Sequence, residues 1–424
     1  MKKMLSLLII ALLALNDVYA EDISIDHALQ IARQFVTSPS TKLLARGNTP
    51  KPITPTLAYT QKSKVGKDNV YVINLGNNQG FVIVSGVSAG EDEVLGYCDH
   101  GSFSLFNAPV QLKDLLEGYA DMVDKVRENP VHTTRAPQKT GTDLGTVVIG
   151  PLLTTMWDQW GPYNGLCPEG CPTGCYPTAL AQVMKYWNWP KESRGKVREG
   201  DQWVDFSGHV YDWDNMLDYY NEYTFEQANA VAQLMADIGK AFGTTYSPEG
   251  SPTNFYYGAL IENFGYNLDD QLAIKDHHAD KASDLQFELR ADLDKKRPVL
   301  YCGSGYAIHA LVCDGYTSKD YFHFNYGWGG VADGYYKNAM CGFSNNAYIF
   351  TGVRPYDPAV KVIGDLKYET VKETGTAMII ECLKMAKLAM CSISRQQLLM
   401  KRGIPIKSIA SANWHSFGRV ISTR

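Results

Sequence analysis

The sequence predicts an α+β chain built as two successive folded regions, and three observations predict it. Residues 22–128 pass from a helical period to strand-like runs and back to a helical period. Residues 149–356 carry helical patterns first and strand patterns later, the order expected of helices packed on an antiparallel sheet. Between them, residues 129–148 contain PVHTTRAPQKTGTDLGTV, rich in Pro, Thr and Gly and without any period. Such a stretch reads as a linker, where proteolysis concentrates, with Arg135 and Lys139 as candidate cut points.

MKKMLSLLIIALLALNDVYA opens on Lys2 and Lys3, continues as an apolar run from Met4 to Leu15, and closes on Val18-Tyr19-Ala20. That is the pattern of a secretory signal cut after Ala20, and it is short for a membrane span. Export is therefore expected, to the periplasm or outside the cell, with no membrane span once the signal is removed. In SIDHALQIARQFV, Ala28, Ile31, Ala32 and Phe35 share a helical stripe. NVYVINLGNNQGFVIVSG gives two β-rich runs around a Gly/Asn turn, a hairpin signal. EVLGYCDHGSF adds a strand and turn, and VQLKDLLEGYADMVDKVREN returns to helix through Leu112, Leu115, Leu116, Tyr119 and Met122. Further on, helices are expected at 176–188, 225–242 and 284–294. Strands are expected at 298–302, 308–314 and 321–325, followed by a Gly-rich turn at 327–334. Residues 357–424 hold eleven Lys/Arg against five Asp/Glu, and none of the acids lies beyond Glu381. AMIIECLKMAKLAMCSISRQQLLM there has the pattern of a basic amphipathic helix, a packing helix or a loose tail, and no function is assigned to it.

Composition narrows the function. A hydrophobic content of 45% and a net charge of −5 describe an ordinary globular protein without the basic surface that nucleic acid requires. The nine cysteines are an odd number, so at least one thiol stays unpaired internally. Cys167, Cys171 and Cys175 share a CxxxCxxxC spacing with no matching second pair, which argues against zinc. A Cys167–Cys171 bridge stays open.

The chemistry centres on PTGCYPTALAQVMKYWNWP. If the helix starts just after Cys175, the thiol sits where free N–H groups and the helix dipole stabilise a thiolate, with Pro177 in the favoured first turn. Gly174 leaves room for a substrate backbone. Cys175 also fits the plainer reading of a small buried hydrophobe. A nucleophilic thiol needs a base. His309, in GSGYAIHALVCDGY, lies inside an apolar strand pattern and is either that base or a core histidine. Asn325, in FHFNYGWGG, is a candidate to accept from the imidazole Nδ1–H and fix its tautomer, with Trp328 shielding that bond. Gln159, in TTMWDQWGPYNG, is a candidate oxyanion donor beside the Cys175 backbone N–H.

Taken together, WDQWGPYN, TGCYPTALAQVMKYWNWP, HALVCDGY and FHFNYGWGGVADGYY resemble the streptopain family of secreted bacterial cysteine peptidases, in the papain-like clan. YDWDNML, LMADIG and ALIENFGYN extend the likeness, and GFVIVSG and LGYCDHGSF resemble that family's propeptide. The resemblance spans roughly residues 22–356. It implies an inhibitory prodomain and linker at 21–138 and a papain-like catalytic domain, helical part plus antiparallel sheet part, at 139–356. It implies an endopeptidase made as a zymogen, acting on protein or peptide substrates, with its own prodomain as intramolecular inhibitor and with no metal or cofactor. Carried over, Cys175 is the nucleophile and His309 the general base and acid, resting as a Cys⁻/His⁺ pair. Gln159 is the oxyanion donor, Asn325 and Trp328 orient and shield the histidine, and Gly174, Ile308 and Ser251 contact substrate. The chain departs from the family in reading Tyr176-Pro177 after the cysteine, Ala307-Ile308 where glycines precede the histidine, and Tyr326 in the Asn-Trp-Gly-Trp run. Ile308 is expected to narrow the cleft.

Three other readings of the residues compete with this one. Gly86-Val87-Ser88-Ala89-Gly90 fits the serine-hydrolase elbow, but the following EDEVLGY is strand-like where that elbow needs a helix. Asp276-His277-His278-Asp280 lacks the helical spacing of a metal pair. A non-catalytic binding or inhibitor protein is the alternative from another class.

Overall fold

The computed structural model describes residues 21–42, 52–88, 93–128, 143–253, 258–267, 270–274, 282–304, 308–337 and 347–356. The signal-like segment, the linker at 129–142, the Asp276–Asp280 cluster and residues 357–424 lie outside them.

The N-terminal region begins with helix α1 (Ile25–Thr37), capped by the Ser24 hydroxyl accepting from the His27 N–H. Its buried stripe is Ala28, Ile31, Ala32, Phe35 and Val36. Strands β1 (Thr56–Lys62), β2 (Asp68–Asn74), β3 (Phe81–Ser85) and β4 (Val94–Cys98) form an antiparallel sheet. Helix α2 (Val110–Glu128) lies across it, burying Leu112, Leu115, Leu116 and Tyr119. Strand β1 went unread in the sequence because it is a half-exposed edge without alternation. Ser88 sits in a short strand, Val87–Ser88, paired with Glu21–Asp22, and its hydroxyl donates to Glu93, so it is no nucleophile elbow.

The second region supplies β5 (Val147–Ile149), α3 (Cys175–Trp187), α4 (Phe225–Ala241), β6 (Asp270–Ile274), α5 (Ala282–Leu293), β7 (Val299–Ser304), β8 (Ile308–Thr317), β9 (Tyr321–Asn325), β10 (Gly334–Lys337) and β11 (Ala347–Thr351). The expected helices and strands match these within a few residues. The hairpin Lys196–Glu199/Gln202–Asp205, β5, β6 and β11 are additions, each short or weakly patterned.

The two regions share one sheet. Its order is β6-β11-β7-β8-β9-β10-β4-β3-β2-β1, with β5 attached to β8. The junction is the antiparallel pair β10–β4, where Tyr335 faces Tyr97 and Tyr336 faces Gly96. A side chain at Gly96 would come within 2.8 Å of the Tyr336 ring, so glycine is what lets these strands close. Pairing covers a backbone edge on each region that would otherwise stay open. One apolar cluster runs across the junction, from Val70, Ile83 and Leu116 to Tyr301, Phe324, Tyr326 and Tyr336. On the opposite face α3 and α4 pack against Leu300, Cys302, Ala310, Val312 and Phe350. Ala179, Leu180, Ala181, Val183 and Met184 are all at most 1% exposed, so α3 is a central helix buried on every side.

Candidate active site

Helix α3 starts on Cys175 itself. Gly174, at φ 90°, precedes it in a conformation that side-chain-bearing residues avoid. A Cβ there would also meet the Ser251 carbonyl oxygen at 2.4 Å. The close approach that Gly174 permits is thus to Ser251, a neighbour in the fold. The Ser251 hydroxyl in turn donates to the Pro172 carbonyl at 2.6 Å. Gly174 and Ser251, two of the three residues expected at the substrate, are used in holding the turn before the nucleophile candidate. Thr178 seals the first turn by donating to the Gly174 carbonyl at 2.9 Å.

Cys175 is a half-buried free thiol. Burial pushes it up from the usual thiol range, and hydrogen bonds from the backbone amides of Ala310, Tyr176 and Cys175 itself pull it back down. The Ala310 amide is next in the chain to His309. The Gln159 loop reaches the same place: the Thr173 N–H donates to the Gln159 carbonyl at 2.9 Å, and the Gly329 N–H to the Trp157 carbonyl at 3.0 Å. Gln159 is thereby tied between the turn before Cys175 and the Trp328 turn. Among the described residues none engages its side-chain amide.

His309 is 2% exposed. Its Nε2–H donates to the Tyr326 backbone carbonyl at 3.0 Å. The ring lies against Trp328, centroids 4.5 Å apart and tilted by 39°. Trp328 therefore sits where a shield would. Asn325 does not reach the imidazole, which corrects the expectation for it. Its Nδ2 donates to the Thr155 carbonyl and to Gln182 Oε1, and its Oδ1 accepts from Gln182 Nε2 and the Gly327 N–H. The register is the reason. Asn325 pairs with Val312 and is turned to Gln182 of α3 and to Thr155, whereas the His309 ring lies against Tyr326 and Trp328. The acceptor is a main-chain oxygen, on Nε2, where a side-chain amide on Nδ1 was expected.

The Cys⁻/His⁺ pair also needs correcting for this conformation. No hydrogen bond joins thiol and imidazole among the described residues. Burial lowers the His309 imidazole to about 4, only partly opposed by the Tyr326 carbonyl. Both groups are neutral at neutral pH. Ile308 opens β8 opposite Ser304, and its side chain lies outside the described residues. Cys167 and Cys171 are buried free thiols, not a bridge. Among the described residues no group of three His, Cys, Asp or Glu is placed to hold a metal, and no helix is long and apolar enough to cross a membrane.

Two participants were not read from the sequence. Tyr326 acts through its backbone, which leaves no side-chain signal. Gln182 had one, a lone amide inside the apolar run TALAQVM. It is fully buried and accepts from Thr155 Oγ1 at 2.9 Å and the Trp157 N–H at 3.2 Å, besides its bonds to Asn325. Replacing it strands buried donors and acceptors on two segments, 155–157 and β9. Gln182→Ala is expected to cost about 2–4 kcal/mol, read as a fall in the urea midpoint at unchanged slope.

Comparison with known proteins now bears on this geometry. Residues 157–336 match the Peptidase C10 family, and residues 20–123 match the Spi protease inhibitor family. The chain is 32% identical over 305 residues to streptopain of Streptococcus pyogenes, covering 63% of this chain and 73% of that protein. This chain belongs to the Peptidase C10 family. It is also 29% identical over 332 residues to the thiol protease/hemagglutinin PrtT of Porphyromonas gingivalis, covering 67% of this chain and 37% of that longer protein. A structure of a prointerpain A fragment from Prevotella intermedia superposes with a TM-score of 0.55 at 26% identity, covering 70% of this chain and 98% of that one. The α+β fold with an inhibitor-type N-terminal region is thus that of a C10 cysteine peptidase with its propeptide. In this C10 peptidase Gln159, Cys175, His309, Asn325 and Trp328 all fall within the matched peptidase segment.

Proposed function

We propose that this C10 peptidase is an exported endopeptidase that cleaves protein or peptide substrates through Cys175 and His309, and that residues 21–138 hold residues 139–356 latent until the linker is cut. The observation that carries the reading is a thiol at the N-terminus of a buried helix, receiving main-chain amides, one of which adjoins a histidine held through Nε2 by a fixed carbonyl. Donation from Nε2–H leaves Nδ1 with the lone pair, ready to take the thiol proton. The thiolate then attacks the scissile carbonyl carbon. The Cys175 N–H and the Gln159 side-chain amide receive the oxyanion, and the imidazolium returns its proton to the leaving amine. Water, deprotonated by His309, hydrolyses the thioester. Trp328 keeps bulk water from the His309–Tyr326 bond.

Latency is supported by the neutral, unpaired thiol and imidazole and by a contact from the N-terminal region. His100 donates from Nδ1–H to Asp99 at 2.6 Å and from Nε2–H to the Gly330 carbonyl at 2.5 Å, in the Trp328 turn. Two acceptors on one ring require an imidazolium. Burial alone would lower this histidine, but hydrogen bonds with Asp99 and Cys98 raise it to about 11. Its contribution is lost only as pH rises through that value, so the clasp holds at neutral pH. His100→Ala is expected to speed conversion of the full-length chain by about tenfold, the worth of one charge-assisted hydrogen bond, followed by gel densitometry.

A peptide carrying a thiol-reactive trap tests the catalytic reading. Rapid labelling of the processed chain at Cys175, located by peptide mapping, is expected at mildly acidic to neutral pH. No labelling at Cys175 after removal of the N-terminal region favours a binding or inhibitor protein instead.

A further inference from the structure

We infer that Asp333 is a positioning residue for the His309 imidazole, acting through the Tyr326 backbone; the inference rests on His309 being the catalytic base. Asp333 closes the turn that follows Trp328, immediately before β10. It is 5% exposed, and its Oδ1 accepts from the Tyr326 N–H at 2.8 Å. The carbonyl of that same residue accepts from His309 Nε2–H at 3.0 Å. One residue therefore carries both bonds, and the carboxyl fixes the oxygen that fixes the ring.

The surroundings make this a rigid relay. The Tyr326 side chain is fully buried, edge-on to Tyr336 at 6.0 Å and stacked near Trp328 at 6.1 Å. Turn bonds from the Val331 N–H to the Trp328 carbonyl and from the Asp333 N–H to the Gly330 carbonyl hold the loop between Tyr326 and its acid. A buried carboxyl is costly to the fold unless it is paired. Burial raises this one to about 6, opposed by the Tyr326 amide and by His323 and His100, while Asp314 raises it further. A bond to a backbone N–H is what a neutral amide oxygen also provides, so the role predicted is geometric and not one of charge.

The consequence is specific. Losing the acceptor frees the Tyr326 peptide, and the imidazole loses its fixed partner, while the substrate cleft is untouched. A displacement of about 1 Å at a reacting group costs on the order of 100-fold in rate. In Asp333→Ala, kcat is expected to fall about 10–100-fold with KM within about twofold. Asp333→Asn keeps an oxygen acceptor and is expected to recover to within about threefold of wild type. A merely structural acid gives the opposite pattern, fewer folded molecules each with full kcat.

The experiment uses full-length chains processed by immobilised wild-type enzyme, which is then removed. Rates are normalised to sites titrated with an irreversible thiol inhibitor, with His309→Ala run alongside. Asp333→Ser replaces Asp333→Ala if the latter yields no folded chain. Loss in Ala or Ser with rescue in Asn supports the inference. Full kcat per site in Ala or Ser, or equal loss in Asn, overturns it. If His309→Ala keeps the wild-type rate, the base assignment fails and the inference falls with it.

Discussion

Cys175→Ala is expected to abolish casein hydrolysis, by about 10⁴-fold or more, and to leave the full-length chain uncut where wild type shortens to a core beginning near residue 140. The size of the effect follows from the site. The sulfur is the atom that receives the amides of Ala310, Tyr176 and Cys175 at the start of α3. The fold should survive. The lost acceptor leaves the amides of Ala310, Tyr176 and Cys175 less well satisfied, a cost of about 1–3 kcal/mol, and α3 keeps all its buried apolar side chains. Two readouts decide it together: chain length against time, and urea midpoint. An alanine variant that still cuts casein would remove Cys175 from the chemistry.

A change of at least about tenfold is also expected in the alkylation rate of Cys175 at pH 6 when residues 21–138 are removed. In the full-length chain burial raises the thiol and lowers His309 to about 4, so at pH 6 neither carries charge. On the proposed latency, removing residues 21–138 readmits water and lets the thiolate and imidazolium form, and the thiolate is the species iodoacetamide attacks. His309→Ala should erase the acceleration. An imidazole whose folded pKa lies below its unfolded value stabilises the buried state above pH 6.5, and this contribution is lost as pH falls through about 4. Mild acid therefore favours any state that exposes His309. Equal alkylation rates before and after removal, or in His309→Ala, would count against the pair.

Much of this was legible in residue order. The stripes Ala28-Ile31-Ala32-Phe35 and Leu112-Leu115-Leu116-Tyr119 are buried as their periods required, and the helix after Gly174 begins within a residue of its expected start. The edge strand β1 was not, because a half-exposed strand has no alternation to read. At the site, sequence pointed to the Cys175 and His309 neighbourhoods but misassigned the histidine's partner. The amide's chemistry and the family resemblance suggested Asn325, and only the register and its hydrogen bonds show it turned toward Gln182, with the neighbouring carbonyl taking its place.

The sequence by itself determined which side chains carry reactive groups, where the helices run, and that an inhibitor-type region precedes a peptidase region. The first two are local properties, written in period and residue type, and the third rests on the likeness of whole motifs to a known family. Only the tertiary structure decided that one sheet and one apolar core join the two regions, that Gly174 and Ser251 brace the nucleophile's turn, and that thiol and imidazole rest uncharged. Hydrogen-bond partners and burial depend on chain segments far apart in sequence, and a backbone oxygen, identical in every residue, leaves no mark in the sequence at all.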